Sequence, residues 1–527
     1  MKRLLLIVAS AAALWSTACS GGSPTVLPPP TGQFGLSSLN GTYAFATIGE
    51  VATSSGTTSL ARTGSFVANG SGGITAGVED VAEPGVLPSL GVAITGGGYS
   101  VDASGRGSLT LNVSTGGVPS TISFGFVLTS ARGGLLIDET STSSQASTGS
   151  GNFFKQDTTA FTNPILPVSA TYVFDFSGLD GGGFGASLVG EFTAASGAIS
   201  GGFEDANDNF SLTNGPISPG TLTPDPSNPA TLTSFGRGVA TIEGENYVFY
   251  IVDATRIRFL STSGGAMLSG DAVIQTSAPA SLSNGFVFIV AGTSASGSGI
   301  IRIGRFTASG ATVNNVLVDT NNGGMFTPTN SATNGSVTLD PANPGRGTIT
   351  FKDPNLAIPF TFVFYLTSAT SAVIQDITQS SVNGPTDVAD GTIAGQTGSP
   401  FSSSNITGTY AMNWSGLSLQ SGVADEEDLV GQTTVSSLAL TGAADIFQFQ
   451  TVNGPQIDNV LTGTITVAGD GAGDDGKRST LAVTLTKNGQ ATTVNSVLYF
   501  VSPQLAFFAN NSSSSTRIVA GVLETQQ

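Results

Sequence analysis

The stretch Gly105-Arg106-Gly107-Ser108-Leu109-Thr110-Leu111 constrains this chain more than any other, because the chain repeats it. It returns as Gly236-Arg237-Gly238-Val239-Ala240-Thr241-Ile242 and as Gly345-Arg346-Gly347-Thr348-Ile349-Thr350-Phe351. A worn copy reads Gly476-Lys477-Arg478-Ser479-Thr480-Leu481-Ala482-Val483. Each copy is a glycine turn opening an apolar strand. A period of roughly 110–130 residues means one domain per copy rather than one coil of a solenoid.

The rest of the unit repeats with it. The first strand reads Gly41-Thr42-Tyr43-Ala44-Phe45, then Tyr172-Val173-Phe174-Asp175-Phe176, Gly285-Phe286-Val287-Phe288 and Tyr410-Ala411-Met412-Asn413-Trp414. Bulky residues at alternate positions are the period of a strand with one buried face. These aromatic stripes are read as core rather than as a sugar-stacking platform. A second strand carries Gly64-Ser65-Phe66, Gly190-Glu191-Phe192 and Gly304-Arg305-Phe306, and a third ends in acid at Glu79-Asp80, Glu204-Asp205 and Asp319. A strongly apolar strand follows the Gly-Arg-Gly turn, and each unit closes on a glutamine: Gln156, Gln275, Gln396, Gln526.

Seven or eight short strands per unit predict an all-β chain of four tandem antiparallel β-barrel or β-sandwich domains. An up-and-down meander is the first choice. In strand order and length it resembles lipocalin-like and calycin barrels, which implies a small barrel around a core or a ligand. An immunoglobulin-like sandwich is the alternative, without that fold's Cys and Trp signatures. The expected boundaries are 1–18 for a signal peptide, 19–35 for a lipidated cysteine and tether, and 36–157, 168–276, 282–397 and 406–527 for the repeats. The fourth unit diverges most, with Asp425-Glu426-Glu427-Asp428 where the others have a glycine-rich turn. Drift is expected in a terminal copy with one face unmatched.

Composition narrows function by exclusion. Charged residues are 10% of the chain, against roughly 25% in an average soluble domain. A net charge of −18 predicts an acidic surface that repels nucleic acid and anionic lipid. Histidine is absent and Cys19 is the only cysteine. No internal disulfide, no Cys/His zinc site and no histidine-based triad can be assembled.

Lys2 and Arg3, the apolar run Leu4 to Leu14, and the small residues Ser16 and Ala18 have the form of a secretory signal peptide. With Cys19 next, Ser16-Thr17-Ala18-Cys19 resembles the lipobox of bacterial lipoproteins, although Ser16 stands where the family usually has Leu. The resemblance implies a Cys19 carrying palmitate-type acyl chains and, with Ser20 following it, a place in the outer membrane. Secretion after cleavage at Ala18 is the alternative. Gly21 to Gly35, with Pro28-Pro29-Pro30, has the composition of a tether.

The candidate sites each have a structural counterpart. The Gly-Arg-Gly arginines could meet a carboxylate or sugar acid, but glycines supplying positive φ beside a solvated arginine explain the motif more simply. Asp205-Ala206-Asn207-Asp208-Asn209 resembles the D-x-N-D-N linker motif of cadherins, which implies calcium held by Asp205, Asn207, Asp208 and Asn209. A polar Asx turn is the alternative. Adjacent acids such as Glu79-Asp80 point to opposite faces of a strand, so neither pair makes a glycosidase site, and they read as solvated strand ends. No cofactor is expected besides that calcium. The sequence thus reads as an envelope-anchored lipoprotein presenting four non-catalytic β-domains for binding, adhesion or structure. Its partners would be the membrane, through the lipid, and glycans or envelope polymers. A lipocalin-like carrier of small apolar ligands is the alternative, with a hydrolase behind it.

Overall fold

The computed structural model describes residues 34–54, 56–142, 146–328, 333–351, 359–380, 384–419, 424–449, 454–467, 478–512 and 517–527. The leader, Cys19 and all but the end of the tether lie outside the described residues. Each unit closes into an eight-stranded antiparallel barrel, which decides barrel over sandwich. Barrel 1 runs from Asn40–Thr53 to Ala146–Lys155, barrel 2 from Ala170–Leu179 to Met267–Ile274, barrel 3 from Leu282–Ser294 to Asp387–Gly395, and barrel 4 from Gly408–Ser418 to Arg517–Thr525. In barrels 2 and 3 the fourth strand is broken, at Ser211–Ile217 and Gly220–Pro224, and at Met325–Pro328 and Thr333–Leu339. Both halves of each still pair with the same third strand. Among the described residues no helix is long and apolar enough to cross a membrane.

Side-chain alternation divides each first strand between two environments. In barrel 3, Phe286, Phe288 and Val290 fill the barrel, whereas Val287, Ile289 and Ala291 belong to a cluster shared with barrel 4. The aromatic stripes fall inside as expected: Tyr172, Phe174 and Phe176 in barrel 2, and Tyr410, Met412 and Trp414 in barrel 4. Each fully buried side chain of this size contributes about 1.5–3 kcal/mol. The strands are therefore apolar on both faces because both faces are covered.

The second face is covered by the next barrel. Ile48 and Ala82 of barrel 1 pack on Leu260 and Met267 of barrel 2. Val173 and Val189 of barrel 2 pack on Val363 and Tyr365 of barrel 3. A larger cluster joins Ile289 and Ile301 of barrel 3 to Tyr499 and Phe507 of barrel 4, and Val430 and Leu417 of barrel 4 to Val127 and Ile137 of barrel 1. The barrels close into a ring. The expectation that the fourth unit lacks a neighbour on one face is thereby corrected, since barrel 1 covers it.

An even number of antiparallel strands brings the chain into and out of each barrel at one rim. Near rims meet near rims: Gln156, just beyond barrel 1, donates to the Phe235 and Ile251 carbonyls of barrel 2 at 2.9 and 2.6 Å. Far rims meet far rims: the Asn207 amide of barrel 2 reaches the Asp376 and Asp387 carbonyls of barrel 3 at 3.4 and 2.8 Å. All the barrels therefore stand the same way up, and Phe34, where the described chain begins, lies on the near face.

Candidate functional site

The chemistry-bearing residues of the repeat converge on the seams between barrels. Arg237 opens the fifth strand of barrel 2 (Arg237–Ile242), and its Nε and Nη2 donate to both oxygens of Asp80 in barrel 1, at 2.8 and 2.7 Å. The Tyr250 hydroxyl, on the neighbouring strand, donates to the same carboxylate at 2.5 Å. Arg346 of barrel 3 grips Asp205 of barrel 2 at 2.7 Å through both nitrogens, and Tyr365 adds a bond at 2.6 Å. Arg478 of barrel 4 grips Asp319 of barrel 3, with Tyr499 at 2.8 Å. At the seam that closes the ring, Arg106 of barrel 1 reaches Asp445 and Asp458 of barrel 4 at 2.6 and 2.7 Å. There Val127 occupies the register position that tyrosine holds in the other three barrels.

The closing glutamines complete the clamp. The Gln275 amide donates to the Leu366 carbonyl at 2.9 Å and the Gln396 amide to the Phe500 carbonyl at 2.7 Å. The Gln526 amide donates to the Ser104 and Leu128 carbonyls of barrel 1, each at 2.8 Å. The last seam thus carries the same clamp as the three that the chain crosses covalently. Head-to-tail contacts of one kind that close on themselves make a cyclic assembly, here within a single polypeptide.

Both glycines of the motif now have a reason. The first has a left-handed backbone, φ +68 at Gly236, and a Cβ there would lie 3.1 Å from the clamping Gln156 amide. The second lies under a phenylalanine inside the barrel, so that a Cβ at Gly238 would meet Phe249 at 2.4 Å. In barrel 4 that position is Ser479, and the residue opposite it is Leu498 rather than phenylalanine.

Two expectations are corrected here. The Gly-Arg-Gly arginines are not solvated: Arg237 is 1% exposed. Burial works to lower its pKa, but Asp80 outweighs that and holds the guanidinium firmly charged. Burial also raises the Tyr250 pKa, which keeps its phenol a donor. Nor are the acid pairs solvated strand ends. Asp80 and Asp205 are the arginine acceptors, while Glu79 lies buried beside Arg62 at 3.6 Å and is pushed up to about 7 by burial. Asp425 to Asp428, expected in place of a turn, open the second strand of barrel 4 (Asp425–Ser436) and are fully buried, with Asp428 at the seam, where it accepts from Thr148 of barrel 1. Of the 35 acidic residues, at least seventeen are buried. Much of the negative charge that suggested an acidic surface is inside.

The calcium candidates are divided between a seam and a turn. Asp205 is engaged by Arg346 and Tyr365, Asn207 by barrel 3, Asp208 sits beside Asp180, and Asn209 makes a left-handed turn. Among the described residues no group of three or more acidic, His or Cys side chains is placed to hold a metal ion. Asp445, the seam tyrosines and Asn321, which joins barrel 3 to the Asn510 and Arg517 carbonyls of barrel 4 as Asn207 joins barrel 2 to barrel 3, escaped sequence reasoning. The tyrosines were traceable, since they recur at one register position opposite the repeated arginine.

Fold and seams define a class: a chain of tandem β-barrels whose polar residues serve barrel-to-barrel contact. No protein-family profile and no curated protein matches the chain. Among solved structures it is similar to a double mutant of transferrin binding protein B from Haemophilus parasuis Hp5, at 9% identity over 97% of this chain and 98% of that one, with a TM-score of 0.23. It is similar also to the isotype 1 transferrin binding protein B of serogroup B Neisseria meningitidis, at 10% identity over 75% of this chain and 84% of that one, with a TM-score of 0.20.

Proposed function

We propose that this protein is an envelope-tethered, non-catalytic ring that holds a protein partner on the face opposite its tether. The observation behind this reading is the distribution of exposed apolar side chains. Val86, Leu87 and Val118 of barrel 1, Met325 of barrel 3 and Ile457 of barrel 4 stand on far-rim loops or at far-rim strand ends, with Leu87 85% exposed, against Leu36 and Val168 on the near side. Exposed apolar surface gathered on one face is what an interaction site presents. Among the described residues the large exposed apolar side chains are aliphatic or methionine, not aromatic. That favours a protein over a glycan, because sugar platforms rest on exposed rings. Lipidation at Cys19 would place the near face toward the membrane, and repetition of a clamp rather than of a reactive group favours binding over catalysis.

A carrier is the second reading, favoured by one cavity. The far mouth of barrel 4 holds about 650 Å³ lined by Ile446, Leu485 and Val494 together with amide side chains, Lys487 and Arg517.

The test is a thermal-shift screen of residues 34–527 against candidate envelope and host proteins, polysaccharides, peptidoglycan fragments and fatty acids, repeated with Leu87→Asp. A protein-induced shift lost in Leu87→Asp supports the proposal. A shift with polysaccharide alone, or with fatty acid alone, replaces it with the adhesive or the carrier reading. Acyl labelling of the full chain, lost in Cys19→Ala, tests the anchor separately.

A further inference from the structure

The buried interior holds more acid than base. Among the described residues at least seventeen buried carboxyl groups face seven buried arginines, and a buried carboxylate without a cation is costly. Two groups at the seams show how that cost is met. Asp175, on the first strand of barrel 2, and Asp390, on the last strand of barrel 3, face each other across the seam, and Asp175 Oδ1 and Asp390 Oδ2 are buried with no donor. A carboxylate has no donor, so one proton between the two would satisfy both. The Gln375 amide, opposite Asp390 in its own sheet, donates to Ser187 Oγ at 2.9 Å. The charged group facing Asp175 from its own sheet is Asp271, and that carboxylate draws Arg258 at 3.0 Å and Arg256 at 3.6 Å to itself.

At the closing seam, Glu426 and Asp428 lie two residues apart on one strand and so share a face, and both Glu426 oxygens and Asp428 Oδ1 are buried with no donor. Thr148 of barrel 1 donates to Asp428 at 2.8 Å, and Ser415 adds a further bond. Glu50 and Asp138 of barrel 1 face them. The nearby cation, Arg62, lies 3.4 Å from Asp138 and 3.6 Å from Glu79. Glu427, pointing the other way, takes Arg517.

We propose that the seam between barrels 2 and 3 and the seam between barrels 4 and 1 are locked by shared protons, so that the ring tightens in mild acid and loosens as pH rises through neutrality. The seam between barrels 1 and 2 rests instead on the Arg237–Asp80 ion pair. The sign follows from burial, which raises Asp175, Asp390, Glu426 and Asp428, the last to about 7. The protonated form is native. Below the ordinary carboxylate range the closed and open states are equally protonated and the lock has its full strength. As pH climbs, only the open state ionises, and the lock is lost until the native pKa is passed.

Hydrogen exchange on the soluble chain between pH 5 and 8, corrected for intrinsic rates, tests this at each seam. Protection in Ala170–Leu179, Asp387–Gly395 and Asp425–Ser436 is expected to fall by up to about tenfold per pH unit for each proton released, while protection around Arg237 stays level. Asp390→Asn supplies its own donor and should flatten the profile at the barrel 2–3 seam alone, as Asp428→Asn should at the closing seam. Asp175→Asn repeats the first test should Asp390→Asn fail to fold. Equal protection at pH 5 and 8, or an asparagine variant that keeps the wild-type pH profile, overturns the proposal.

Discussion

Replacing Asp80 by alanine should loosen the ring more than any single loss of apolar surface at the same seam. Asp80 is fully buried and accepts from Arg237 Nε and Nη2, Tyr250 Oη and the Gly91 backbone N–H, at 2.8, 2.7, 2.5 and 2.7 Å. Its removal leaves a buried phenol, a backbone amide and half of a guanidinium without acceptors. Asp225 still holds Arg237 Nη1, which keeps the cost toward the lower end of the range for breaking a buried ion pair, about 3 kcal/mol of about 3–5. The assay is urea unfolding followed by far-ultraviolet circular dichroism, with Trp414 fluorescence as a separate report from inside barrel 4. A double-mutant cycle with Arg237→Ala should return a coupling of about 1–3 kcal/mol. The combined exchange Asp80→Leu, Arg237→Met, Tyr250→Phe and Asp225→Asn should cost far less than Asp80→Ala, because no buried charge is left alone. A loss under about 1 kcal/mol, the range of an exposed pair, would refute the reasoning and mean that the seam stands open to water.

Gln526→Ala should open the ring where no peptide bond crosses it, leaving the Ser104 and Leu128 carbonyls unpaired at about 1–3 kcal/mol. Small-angle scattering should then show a larger radius of gyration, whereas Gln156→Ala, at a covalently crossed seam, should leave it unchanged. Gly238→Ala should cost about 1–3 kcal/mol by overpacking against Phe249, and Phe249→Leu should restore much of it, as the Ser479 and Leu498 pair of barrel 4 suggests; thermal melts of the three variants decide. Calcium should leave the melting temperature unchanged, because Arg346 and Tyr365 already occupy Asp205; a calcium-dependent rise abolished by Asn209→Ala would restore the cadherin-like reading.

Much of the architecture was legible because strands advertise themselves locally. Alternation in Tyr172, Phe174 and Phe176 marks an inward face, and four copies of one pattern mark one domain each. The same stretches also carried the outward apolar residues, such as Val287, Ile289 and Ala291, yet nothing local says whether an outward valine meets solvent or another domain. Charge was the least legible. An arginine between two glycines looks the same whether water or a carboxylate far along the chain surrounds it, so Arg237 read as solvated and Asp80 as a strand end.

The sequence by itself determined the class, the number of units, the strand order and the exclusions that follow from a chain with no histidine and one cysteine. Only the tertiary structure decided that the units form a ring, that the repeated arginines, acids and glutamines are one clamp, and that the acid of the fourth unit lies buried against the first. Strand propensity and burial periodicity act over a few neighbouring residues, so they leave a trace in the local pattern. A seam depends on the position of one barrel relative to another, set by contacts such as Arg106 with Asp445 at 2.6 Å, and no local pattern encodes a partner so distant in the chain.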